Sequence, residues 1–116
     1  MYNLSVKNKK DFKRPLPTTQ GTFFYKPEEI IRLEGESNYT HFYFQNKSKL
    51  LTSRTLKDYE EILVNQGFIR VHKSHLVNKS HVINFTQDGM LTMADQSRVE
   101  ISRSRKEEVI IRLKSS

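Results

Sequence analysis

Between Phe68 and Phe85 the chain reads FIRVHKSHLVNKSHVINF, a basic, histidine-rich run interleaved with β-branched residues. Three short apolar groups, Phe68-Ile69-Val71, Leu76-Val77 and Val82-Ile83-Phe85, are cut by polar residues at Arg70, His72-Lys73-Ser74 and Asn78-Lys79-Ser80. That pattern argues against a helix and suits short strands joined by tight polar turns. The run lies within an acid-free interval of 26 residues, Ile62 to Gln87, where the 13 acids of the chain would on average place about three. Arg70, Lys73, Lys79 and three of the four histidines fall in the same interval. An unbalanced cationic surface repels itself, so its natural use is to meet an anion, and a polyphosphate backbone is the commonest large one. The plainer reading is a solvated basic face with no partner.

At 116 residues and 13.7 kDa the chain is the size of one domain with a modest core. A net charge of +7 and a pI near 9.7 favour nucleic acid, an anionic membrane surface or an acidic protein as partner, without choosing among them. Zero cysteines leave no disulfide and no thiolate metal site, in keeping with the reducing cytoplasm expected for the protein. No apolar run is long enough to span a membrane, and the polar N-terminus has no signal-peptide core.

Residues 1–20 carry Lys7, Lys9, Lys10, Lys13 and Arg14, then Pro15 and Pro17, and read as a flexible basic linker or arm. Residues 21–116 are left as the folded domain. Its first strands are expected at Phe23-Phe24-Tyr25 and Ile30-Ile31-Arg32-Leu33, followed by a polar loop from Glu34 to Asn38 around Gly35. From Tyr39 to Gln45 the chain alternates, so Phe42 and Phe44 face a core while Tyr39, His41 and Tyr43 face solvent or a partner. Ser53 or Thr55 caps a short helix that buries Leu56, Tyr59, Ile62 and Leu63, with Gly67 beyond its end. The outer face of that helix, Lys57, Asp58, Glu60 and Glu61, is acidic on balance and unsuited to a DNA groove. Gln87-Asp88-Gly89 signals a hairpin, Ala94-Asp95-Gln96 a second turn, and Ser104 with Glu107 a capping box for a final helix burying Val109, Ile110 and Leu113.

The run FIRVHKSHLVN resembles the signature of the LytTR domain, the mostly-β DNA-binding domain at the C-terminal end of many bacterial response regulators. Phe68, Arg70, His72, Lys73, Ser74, Leu76, Val77 and Asn78 carry the likeness. IIRLEGESNYTHFYF upstream, TLKDYEEIL, and VEISRSRKEEV downstream extend it in order over about residues 22 to 113. Such domains commonly place glycine in the last turn, where this chain has Gln96. The resemblance implies an elongated, multi-sheet, mainly β fold of short antiparallel strands with two short α-helices.

It also implies sequence-specific double-stranded DNA binding by loops inserted into successive grooves, with no helix lying along the major groove. Carried over by position, the contacts would come from Asn38, Thr40 and His41, from His72, Lys73 and Ser74 with Lys79, and from Arg103, Ser104 and Arg105. Lys73 and either Arg103 or Arg105 would donate to base edges, and His41 or Thr40 would supply the contact of the first loop. Lys79, Ser74 and Ser104 would take phosphate. Arg70 would instead form an internal ion pair and Asn78 would satisfy backbone groups. The implied partners are promoter direct repeats, bound by two copies once an upstream receiver or sensor domain of a two-component regulator dimerises.

No catalytic residue, metal or cofactor is expected. His72 and His75 form an H-x-x-H pair, but residues three apart on one strand point to opposite faces, and no Asp, Glu or Cys lies nearby in sequence. The rival reading is a basic module for RNA or an acidic protein. Against RNA, the chain lacks an aromatic RNP signature and a GXXG loop.

Overall fold

The structure is a computed structural model that describes residues 12–115. Its strands are β1 (Arg14–Thr18), β2 (Gly21–Tyr25), β3 (Ile30–Glu36), β4 (Tyr39–Phe44), β5 (Lys49–Thr52), β6 (Phe68–His72), β7 (His75–Asn78), β8 (Val82–Phe85), β9 (Met90–Met93) and β10 (Arg98–Glu100). Two short helices, α1 (Leu56–Ile62) and α2 (Lys106–Lys114), complete it. The central antiparallel sheet has the order β5-β4-β3-β7-β6, flanked by a three-stranded sheet β10-β9-β8 and the hairpin β1-β2. The described residues extend over 56 × 34 × 24 Å. This is the elongated, mainly β, multi-sheet architecture expected.

Strands β3, β7 and β6 of the central sheet are buried on both faces because their apolar residues alternate sides, whereas β4 turns Tyr39, His41 and Tyr43 outward. Leu33, Phe42, Phe44 and Leu76 join Leu16, Tyr25, Leu56 and Tyr59 in one core, beneath β1, β2 and α1. Ile31, Ile69, Val71 and Val77 join Leu91, Met93, Val99 and Val109 in the other, beneath β8–β10 and α2. A bulge between Ile30 and Arg32 lets Ile30 and Leu33, three residues apart, share the first core. Arg32 ties the outer layer to the sheet: it donates from Nε to Ser97 Oγ at 3.1 Å, pairs with Glu34 at 3.0 Å and stacks 3.9 Å from the Tyr43 ring centroid.

Several local expectations change. The arm expected over residues 1–20 gives way at Arg14–Thr18 to β1, whose Leu16 is buried; residues 1–11 lie outside the described part. Pro15 and Pro17 alternate with Leu16, so the missing N–H groups are confined to one side of a strand in a two-stranded hairpin, where they are tolerated. The polar loop expected from Glu34 to Asn38 shrinks to the turn Ser37-Asn38, because Glu34 pairs with Arg32 and Glu36 with His41 and β3 continues through both. Thr55 caps α1, and Leu56, Tyr59 and the C-cap Leu63 are buried, but Ile62 is exposed because the helical turn carries it to the edge of that face. The capping box at Ser104 and Glu107 does not form: the chain enters α2 through a single 3-10 turn, Arg103–Arg105, with no side-chain cap. Gln96 takes the left-handed φ of 72° that a glycine would hold in the β9–β10 turn.

Candidate nucleic-acid interface

Register brings the predicted loops to one end of the central sheet. β7 runs against β3 with His75 opposite Glu34, and the Gly35 N–H donates to the Ser74 carbonyl at 2.9 Å. The Lys73-Ser74 turn therefore abuts the end of β3 just before the Ser37-Asn38 turn. On the other flank the Ser102 N–H donates to the Val71 carbonyl at 2.9 Å, which brings the Arg103–Arg105 turn beside β6. Asn38, Lys73, Arg103 and Ser104 are exposed there, and Ser74 and Arg105 are partly so.

The β6–β7 turn is held by side chains. Arg70 donates from Nε to the His72 carbonyl at 2.8 Å, from Nη2 to the Lys73 carbonyl, and from Nη1 to Glu60 Oε1 at 2.7 Å. His72 Nδ1 accepts from the Ser74 N–H at 3.0 Å. Asn78, at the far end of β7, is buried; its Nδ2 donates to the Ile30 carbonyl at 2.9 Å and its Oδ1 accepts from the Ser80 N–H at 3.1 Å. Both residues thus have the internal roles expected of them.

Two nominated residues lie away from the exposed loops. Thr40 is fully buried and its hydroxyl donates to the Arg54 carbonyl at 2.7 Å, so it cannot reach a base. Its companion His41 is partly accessible, with Nε2 2.8 Å from Glu36 Oε1. Lys79 sits at the opposite end of β7 from the loops, where its N–H donates to the Gly67 carbonyl at 2.9 Å and its ammonium reaches the Ser115 carbonyl. Sequence reasoning also passed over Arg54. It is exposed in the segment after β5, and the pairing of Thr40 with Thr52 carries that segment to the same end as the three loops. Its sole sequence signal was a cation just beyond a strand.

His72 and His75 do not point apart. They close the hairpin as a cross-strand pair, one on each strand, with ring centroids 5.1 Å apart. Burial holds the His75 imidazole below its ordinary pKa; Glu34 and Glu100 oppose the shift, while His72 and Arg32 reinforce it. Its Nδ1 and the Ser102 hydroxyl oxygen are buried without hydrogen-bond partners. Among the described residues no three His, Cys, Asp or Glu side chains converge on a metal position.

The LytTr DNA-binding domain family matches residues 20–114. The chain belongs to this family. A LytTr DNA-binding domain from Bacillus cereus superposes with a TM-score of 0.77 at 24% identity, covering 90% of this chain and 99% of that one, and shares its fold. The sensory transduction protein LytR of Staphylococcus saprophyticus is 41% identical over 59 residues, 46% of this chain and 22% of LytR. The heme-containing CO-sensing transcriptional regulator RcoM 2 of Paraburkholderia xenovorans is 26% identical over 99 residues, 81% of this chain and 37% of RcoM 2. The LytTR chain thus spans well under half the length of LytR and of RcoM 2. The family is one of DNA-binding domains, and none of the described helices is long and apolar enough to cross a membrane.

Proposed function

We propose that this chain reads double-stranded DNA by sequence as the output domain of a bacterial two-component transcriptional regulator in the cytoplasm. The carrying observation is the meeting of the Ser37-Asn38, Lys73-Ser74 and Arg103–Arg105 turns at one end of the central sheet, with Arg54 beside them. Loops in a row can enter successive grooves, whereas the exposed acidic residues Asp58 and Glu61 of α1 would be repelled by phosphate. Lys73 and Arg103 or Arg105 donate to guanine O6 and N7, Asn38 and His41 exchange hydrogen bonds in the first loop, and Ser74 and Ser104 take phosphate. His72 holds the middle loop and lies close enough to add a contact. The sensory names of LytR and RcoM 2 support coupling to an upstream receiver or sensor domain, with two copies binding paired direct repeats.

The test is selection of duplexes from a randomised pool, then affinity for the selected and a scrambled duplex across a salt titration. Specific binding should exceed scrambled by about a hundredfold or more, and Lys73→Ala should cost about 1–3 kcal/mol of discrimination at one position. Equal affinity for every duplex with a steep salt slope would reduce the chain to an electrostatic binder.

A further inference from the structure

The β6–β7 hairpin has a two-residue loop, Lys73-Ser74, closed by the His72–His75 pair. Two-residue loops that match the twist of their strands need a positive φ at the first central residue, which is why Asn-Gly and Gly-X dominate them. Neither residue here is glycine and neither has a positive φ, although Ser37, Lys47 and Gln96 show that other turns of this chain adopt one. A bulge between Arg70 and His72 distorts the ladder just before the turn as well. Backbone preference alone therefore does not set the shape of this loop, and the hydrogen bonds that do come from side chains. Arg70 holds the carbonyls of His72 and Lys73, and His72 Nδ1 holds the Ser74 N–H.

Arg70 is itself fixed. Its side chain is only 15% exposed, and Glu60 of α1 takes its remaining edge at 2.7 Å. The same helix region anchors the first loop, because the carbonyl of Arg54, just before the Thr55 cap, accepts from Thr40. The Lys73 side chain projects from the turn whose carbonyls Arg70 grips.

We infer that Arg70, braced by Glu60, is a positioning residue that sets the base-sequence selectivity of the Lys73 loop without touching DNA. The inference rests on the DNA-reading role proposed above. A rigid planar fork that grips two carbonyls and a carboxylate at once cannot be replaced by the single ammonium of lysine. Arg70→Lys keeps the charge and most of the stem, so net electrostatic attraction for phosphate is preserved. Glu60→Gln frees the brace and removes one negative charge.

The experiment measures affinity for the selected duplex and for its single-base variants with wild type, Arg70→Lys, Glu60→Gln, Lys73→Ala and Arg103→Ala, each first checked for folding by urea titration. Arg70→Lys should lose about tenfold or more in discrimination at the base pair that Lys73→Ala relaxes, and retain it at the pair that Arg103→Ala relaxes. Glu60→Gln should lose several-fold at the same pair, while affinity for scrambled DNA holds or rises. Should Arg70→Lys not fold, Glu60→Gln carries the test, with exchange of the Ser74 amide in the free protein expected to quicken. Unchanged discrimination in folded variants, or a loss spread evenly over all positions, overturns the positioning role. If Lys73→Ala relaxes a position and neither brace variant does, this inference alone falls; if wild type shows no discrimination, it falls together with the DNA-reading role.

Discussion

Asn78 belongs to the run by which the family is recognisable, yet its side chain faces inward, and replacing it separates folding from recognition. Asn78→Ala strands the Ile30 carbonyl, otherwise held at 2.9 Å, and removes the acceptor for the Ser80 N–H. A buried polar group left without its partner costs about 1–3 kcal/mol. Ser80 is exposed and its N–H can turn to water, so that loss sits nearer the roughly 0.5–1 kcal/mol of a weak cap. The total is about 2–4 kcal/mol. At about 4–8 °C per kcal/mol for a domain near this size, the melting temperature should fall on the order of 10–30 °C. Differential scanning calorimetry measures that fall, and DNA affinity below the transition should stay within about threefold of wild type. A variant that melted within a few degrees of wild type but lost its DNA affinity would refute the structural role and place Asn78 at the interface.

Phe42→Ala removes the ring that packs edge-on to Tyr59 at 4.7 Å and against Tyr25 and Phe44, and should destabilise by about 3–5 kcal/mol in urea titration. Gln96→Gly relieves a left-handed φ of 72° and should raise the melting temperature by a few degrees, the relief of about 1–2 kcal/mol outweighing the added unfolded-state freedom of glycine. Burial depresses the His75 pKa, so below about pH 6.5 the unfolded chain takes up a proton that the folded chain resists, and stability falls with pH until the folded value is passed. His75→Gln should flatten that part of the melting-temperature profile; an unaltered profile would exclude His75 as its source.

What the sequence displayed and what it hid follow from the range of the interactions involved. The alternation of β4, the three strands of the central run and the Gly89 hairpin are local patterns, and each was legible. Strand β1 was hidden because bases and prolines are the marks of a linker, and only the partner strand reveals that Leu16 is inside. Spacing along one strand separated His72 from His75, whereas the turn between them folds one onto the other. Thr40 and His41 could not be ranked from sequence, since the Arg54 carbonyl that occupies Thr40 lies fourteen residues away. Lys79 shared the charge pattern of Lys73 but not its end of β7.

The two-sided burial of β3 and β7 bears on how the molecule breathes. β3 and β7 are interior strands flanked on both sides and sandwiched between the two cores, so their amides have no route to water short of opening the whole domain. The β1–β2 hairpin and the β8–β10 sheet each lie on one core only, and either can lift away while the other stays closed. In hydrogen exchange the chain should divide into a slow centre and two independently faster wings. The Lys73-Ser74 turn is strung directly from the slow centre by β7. The loop proposed to meet the double helix is thus mounted on the part of the fold that moves last.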